Sequence, residues 1–161
     1  TLVTVTDLTY TPKDSARRLL HTVTCKEVRV ALLLVVDDEP RIVRLVSRVL
    51  VSQGHRVETA RTGEEALPKA AALDFDLVIL DLLLPGIDGH TVLRELLARN
   101  SRARVMVLSA LGDLEARAQC LSEGAVDYVA KPFAVADLLA RVDLQLAQAP
   151  TEVPPAGWRT A

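Results

Sequence analysis

The chain has 161 residues, of which 50% are hydrophobic and 25% charged, with a formal net charge of −2. That balance suits one globular domain with a real core, and excludes a disordered chain, two ordinary domains or a generally basic, nucleic-acid-binding surface. Aromatic residues make up only 3%, so Leu, Val and Ala must fill the interior.

Residues 1–27 read differently from the rest. Thr1–Thr11 is Thr-rich with partial alternation at Leu2, Val3, Val5 and Leu8, which permits a short strand, and Ser15–Thr22 permits a two-turn helix capped by Asp14 or Ser15. A loosely attached N-terminal extension is expected. Asp7, Lys13, Asp14, Arg17 and Arg18 interrupt any signal-peptide core, and the longest apolar run, Val30–Val36, falls far short of a membrane span. Cys25 and Cys120 have neither Cys-x-x-Cys spacing nor a neighbouring His cluster, which favours reduced thiols. The expected setting is the cytoplasm, with no membrane partner.

From Val28 a strand–helix alternation holds for five rounds. Val28–Val36 is a continuous, β-branched-rich run that predicts a buried strand. A helix over Pro40–Gln53 follows, with Ile42, Leu45, Val46, Val49 and Leu50 on one face and Gly54 as its stop. Arg56–Ala60 is a short strand, and Gly63–Ala72 a helix that Pro68 should shorten or bend. Leu77–Asp81 is a third strand entering the apolar loop Leu82–Gly86, and Asp88–Asn100 a helix with Val92, Leu93, Leu96 and Leu97 inward. Arg104–Ser109 is a fourth strand, followed by a helix over Asp113–Glu123 with Leu114, Ala118 and Leu121 in register and Gly124 closing it. Tyr128–Ala130 is the fifth strand, and Ala134–Ala147 a helix with Val135, Leu138, Leu139, Val142 and Leu146 inward. The Pro-containing segment 149–161 reads as a tail or linker. Such alternation predicts a doubly wound α/β domain over residues 28–148, a five-stranded parallel sheet between helices.

Chemistry gathers at the strand ends. Asp37 and Asp38 close the first strand, Asp81 the third, Ser109 the fourth and Lys131 the fifth. In a parallel α/β sheet those ends face one crevice. Three carboxylates there raise one another's proton affinity unless a cation compensates, which suggests a divalent-metal pocket around one special Asp. Helix capping is the plainer role for Asp37 and Asp38, since Asp-x-Pro before a helix favours it. Taken alone, Ser109 would be an ordinary strand-end hydroxyl and Lys131 a surface lysine.

Taken together, the fragments VVDDEP, VILDLLLPGIDG, VLSA and DYVAKPF, in order and each at a strand's carboxyl end, resemble the receiver domain of two-component response regulators. The likeness covers roughly Val28 to Ala147. It implies the flavodoxin-like sheet order 2-1-3-4-5 and a signalling module rather than an enzyme. Asp81 would accept a phosphoryl group from the phosphohistidine of a histidine kinase or phosphotransfer protein. Mg²⁺ would be held by Asp37, Asp38, Asp81 and the backbone carbonyl of Leu83, while Lys131 and Ser109 contact phosphoryl oxygens. Lys131-Pro132 would be a cis peptide. Tyr128 would be the switch aromatic, turning inward as Ser109 moves toward the phosphoryl group and so changing the surface of the fourth helix, fifth strand and fifth helix. Arg41, Arg44 and Arg48 lie on the polar face of the first helix, which in the family docks the kinase; a merely solvated face accounts for them equally well.

Some positions depart from the family's pattern. Leu83 and Leu111 occupy places where polar side chains can orient a hydrolytic water, so a long-lived phospho-state is expected. The C-terminal part resembles receivers that precede a winged-helix DNA-binding domain and form homodimers through the fourth-helix, fifth-strand, fifth-helix surface. Arg117, Asp127 and Arg141 could serve there, but Ser122, Val126 and Asp143 replace charges that the usual dimer pairs, which weakens that expectation. A stand-alone receiver and one excised from a longer regulator both remain open, and direct nucleic-acid binding by this chain is not expected. The rival enzyme reading, a phosphatase that turns over an aspartyl phosphate, needs an acid where Leu83 stands. No GxxxxGK[ST] or GxGxxG loop supports a nucleotide site.

Overall fold

Four apolar runs and the mixed segment Arg56–Ala60 become strands and five further segments helices, in strict alternation. The computed structural model describes residues 30–100, 103–112 and 114–148. The elements are β1 (Leu32–Val36), α1 (Pro40–Ser52), β2 (Arg56–Ala60), α2 (Gly63–Ala72), β3 (Leu77–Leu80), α3 (Gly89–Arg99), β4 (Val105–Ser109), α4 (Leu114–Glu123), β5 (Asp127–Ala130) and α5 (Val135–Ala147). The expected arm over 1–27, Cys25, Asp113 and the tail from 149 lie outside the described residues.

All pairings are parallel and the strand order is β2-β1-β3-β4-β5, as expected. Strand residues point alternately to opposite faces, and the core divides accordingly. Leu34, Val36, Val78, Leu80, Val105 and Val107 pack with residues of α2, α3 and α4. Leu33, Val35, Leu77, Ile79, Met106 and Leu108 pack with Val46 and Leu50 of α1 and Leu138 and Val142 of α5. Burying the central strands on both faces explains their unbroken apolar sequence. Among the described residues no helix is long and apolar enough to cross a membrane.

Four local expectations need correction. The first strand starts at Leu32, where pairing with Arg56 begins, and Val30 before it is 60% exposed. Pro68 sits on an exposed side of α2 and does not shorten it, since the helix runs to Ala72. The apolar register of α4 misled most: Leu114 is 84% exposed and Leu121 also faces outward, while Cys120 is the buried residue. The reason lies at the end of that helix. Gly124 adopts φ 110° and comes so close to Leu97 of α3 that a Cβ there would lie 2.9 Å from its Cδ1, and Ala125 is buried next to it. Small residues fix how α4 meets α3, and the longer leucines are left on the surface. Leu45 of α1 is likewise exposed, the inward stripe being Ile42, Val46 and Leu50.

Candidate functional site

Strand register brings the acidic residues together. Val36 of β1 is paired with Leu80 of β3 and with Ala60 of β2, so the residues that follow emerge side by side. The Asp81 amide donates to the Val36 carbonyl at 2.9 Å and the Asp37 amide to the Ala60 carbonyl at 3.2 Å. Farther along the same edge Ser109 pairs with Ala130, and the Lys131 amide donates to the Ser109 carbonyl at 2.8 Å. The Lys131-Pro132 peptide is cis.

One carboxylate oxygen from each of Asp37, Asp38 and Asp81 lies within 4.8 Å of the others. Asp37 and Asp81 are buried and Asp38 is exposed at the mouth. The Lys131 ammonium bridges the two buried acids, 2.5 Å from Asp37 Oδ2 and 2.8 Å from Asp81 Oδ2. Burial pushes the Asp37 carboxyl above its ordinary value, and the neighbouring Asp81 adds to this; hydrogen bonds from Lys131 and the Glu39 amide oppose the rise without cancelling it. Burial alone would lower Lys131, but its bonds to Asp37 and Asp81 outweigh that and hold the ammonium above the usual lysine range. Three acids against one ammonium leave an excess of negative charge. A hard divalent cation fits such an all-oxygen set, with open positions for water or phosphate.

Capping does not account for the acidic pair. The N-cap of α1 is Glu39, whose side chain makes no capping bond. Asp37 Oδ1 instead accepts from the Glu39 amide at 2.9 Å, a turn that aims its other oxygen at Lys131. Asp81 does the same, Oδ1 accepting from the Leu83 amide at 3.0 Å. The loop after Asp81 is fixed by a residue that the sequence reading passed over. A Cβ at Gly89 would lie 2.3 Å from Leu82 Cα and 2.7 Å from the Asp81 carbonyl, so only glycine lets α3 start against the backbone of Asp81 and Leu82. The available signal was a glycine just inside the helix that Asp88 caps.

The other site residues stand one step away. Ser109 is fully buried, and its hydroxyl accepts from the Leu111 amide at 3.4 Å. Tyr128, expected to turn inward on phosphorylation, already lies inward here, 4% exposed, and its hydroxyl donates to the Leu111 carbonyl. Leu111 thus connects the hydroxyl and the aromatic, a link invisible in sequence. Leu83 is half exposed beside the pocket.

Comparison with known proteins decides the family. Residues 33–143 match the response regulator receiver domain model. The chain belongs to the response regulator receiver family. It is 37% identical over 131 residues to the transcriptional regulatory protein TcrA of Mycobacterium tuberculosis, which covers 81% of this chain and 52% of TcrA. This receiver therefore spans about half the length of that relative. Among solved structures it resembles the BeF3-activated DrrB receiver domain, with TM-score 0.69 and 35% identity over 74% of this chain and 99% of that one. It also resembles a chain of the CheX-CheY-BeF3-Mg²⁺ complex from Borrelia burgdorferi, with TM-score 0.68 and 35% identity over 70% of this chain and 86% of the other. Receivers are signalling modules that interact with histidine kinases and bind Mg²⁺ at an acidic pocket, and the cluster of Asp37, Asp38 and Asp81 is consistent with that.

Proposed function

We propose that this receiver takes a phosphoryl group onto Asp81 from the phosphohistidine of a histidine kinase or phosphotransfer protein. The observation that carries the reading is Lys131 bridging Asp37 and Asp81 beside the third acid, Asp38. In the transfer a carboxylate oxygen of Asp81 bonds to phosphorus as the phosphorus–nitrogen bond breaks, and the leaving imidazole takes up a proton. Asp37, Asp38, Asp81 and the Leu83 carbonyl would hold Mg²⁺, which would supply positive charge to offset that on the phosphoryl oxygens. Lys131 shifts from its two carboxylates to one phosphoryl oxygen, and the Ser109 hydroxyl turns from Leu111 to donate to another. The chain in this way assists its own phosphorylation and dephosphorylation without acting on a separate substrate. The DrrB and Borrelia neighbours were solved with BeF3, a tetrahedral mimic of a phosphoryl group, which supports a phosphoryl site here.

The inward Tyr128, tied to the backbone of Leu111, couples movement of Ser109 to the surface formed by α4, β5 and α5. Dimerisation through that surface is weakened in our reading, because Arg141 is engaged within its own chain by Asp127, at 3.0 Å to both carboxylate oxygens, and by Asp137. TcrA is named a transcriptional regulatory protein, and a transcriptional output through a linked effector is the role we assign to the whole protein. The test is incubation with Mg²⁺ and acetyl phosphate followed by intact mass measurement. Wild type gains one phosphoryl group and Asp81→Ala gains none; no gain in wild type, or the same gain in Asp81→Ala, overturns the reading.

A further inference from the structure

The loop between β3 and α3 carries Leu83 and is held at its two ends by its own residues: the Leu83 amide on Asp81, and the Gly89 amide donating to the Leu82 carbonyl at 3.0 Å. Between those points a tie comes from a different element. Glu64, in the first turn of α2, reaches across so that its Oε1 accepts from the Ile87 amide at 3.2 Å. Its carboxyl lies against Gly86, where a Cβ would come within 2.4 Å of Oε1 and the backbone has φ +79°. A side chain at 86 would push the carboxyl off the loop, so glycine makes room for the tie as well as for the turn. Gly63, just before it, lets the start of α2 close on the same region, since a Cβ there would lie 2.6 Å from Val92 Cγ2 and 3.1 Å from Ile87 Cβ.

The acid is held ready for this. Its own backbone amide, the Thr62 hydroxyl and the Ile87 amide lower its carboxyl below the ordinary range, and a helix N-terminus favours the negative charge. Lys131 bonds Asp37 and Asp81, and Asp81 holds the loop at its start through the Leu83 amide; the Glu64 tie to Ile87 lies farther along it.

We propose that Glu64 is a positioning residue for the cation site: by fixing Ile87 and Gly86 from α2 it sets the β3–α3 loop in the conformation that presents the Leu83 carbonyl. The inference rests on the Mg²⁺ site proposed above. It makes Glu64 a determinant of Mg²⁺ affinity, although it lies outside the acidic cluster.

The test combines amide hydrogen exchange without metal and Mg²⁺ titration by calorimetry, on wild type, Glu64→Ala, Glu64→Asp and Glu64→Gln. The net worth of one hydrogen bond sets the scale, about three- to tenfold in an equilibrium. Glu64→Ala should speed exchange at the Ile87 amide and weaken Mg²⁺ binding by about that factor, with the melting temperature of the metal-free protein little changed. Glu64→Asp, which keeps the charge but is too short to reach, should behave like Glu64→Ala. Glu64→Gln, whose amide oxygen still accepts, should restore both readouts. Unchanged exchange at Ile87, unchanged Mg²⁺ affinity in Glu64→Ala, or a Glu64→Asp that matches wild type overturns the inference while leaving the cation site standing. Failure of wild type itself to bind Mg²⁺, or binding insensitive to Asp38→Asn, overturns the cation site instead.

Discussion

Lys131 lies 2.5 Å from Asp37 and 2.8 Å from Asp81, and this small geometry carries most of the chemistry. An ammonium shared between two buried acids offsets the cost of burying them and stays charged, as the raised Lys131 shows. A phosphoryl group on Asp81 would offer it more negative charge than the carboxylate it leaves. Persistence of that group depends on water, and the side chains of Leu83 and Leu111 have no polar atom with which to orient one. Leu83 is 50% exposed, so its side chain can be replaced at little cost to folding. We expect Leu83→Asn to shorten the lifetime of the phosphorylated protein about tenfold, short of the roughly 10²–10⁴-fold of a full general base because an amide orients water without taking its proton. Loss of the phosphoryl group followed by mass measurement checks this, and loss within seconds in wild type would contradict a long-lived phospho-state.

Helix α4 shows how one element is held. Only Cys120 of its residues is buried, and Leu114 and Leu121 face outward. Its far end is tied to α3 by His90 Nδ1, 2.9 Å from Glu123 Oε2, and both side chains are largely covered. Burial would push the Glu123 carboxyl up, but hydrogen bonds from His90 and Gln119 and the charges of His90 and Arg94 prevail and hold it below its ordinary 4.5. A carboxyl lowered on folding stabilises the native state in full above its unfolded value and loses that contribution as pH falls through the folded one. Glu123 therefore contributes above about pH 4.5 and fades below it. We expect His90→Ala to lower stability by about 1 kcal/mol at pH 6, and the gap to wild type to narrow at pH 3. Urea midpoints at the two pH values measure both; an equal gap at each would mean that the Glu123 carboxylate is not part of the tie.

On the scale of the molecule, an acidic pocket at the end of a parallel sheet links metal binding to folding. The carboxylates come from β1 and β3, and Lys131 from the end of β5, so the site exists only when the sheet is assembled. A ligand that binds only the folded state stabilises it by about 2.7 kcal/mol at one hundred times its dissociation constant. Thermal unfolding should therefore shift upward with added Mg²⁺ and return with a chelator, and Asp38→Asn should remove most of the shift. An unchanged melting temperature in wild type would argue against a cation at this pocket.

Much of this was legible in sequence because it depends on short-range pattern. Continuous apolar runs marked β1, β3, β4 and β5, helical periodicity marked α3 and α5, and the position of Asp37, Asp38, Asp81, Ser109 and Lys131 at strand ends followed from those runs. Side chains that depend on how two elements meet were not legible. The reach of Glu64 to Ile87 and the link from Tyr128 to Leu111 join residues 23 and 17 positions apart, while the outward turn of Leu114 and Leu121 and the pressing of Gly89 onto Leu82 are set by how neighbouring elements pack. The sequence by itself determined the order of strands and helices and which residues stand at the crevice, since a strand end is a local property. Only the tertiary structure decided which of those residues touch, because register and helix packing arise from the fit of distant surfaces and from the space that small residues leave between them.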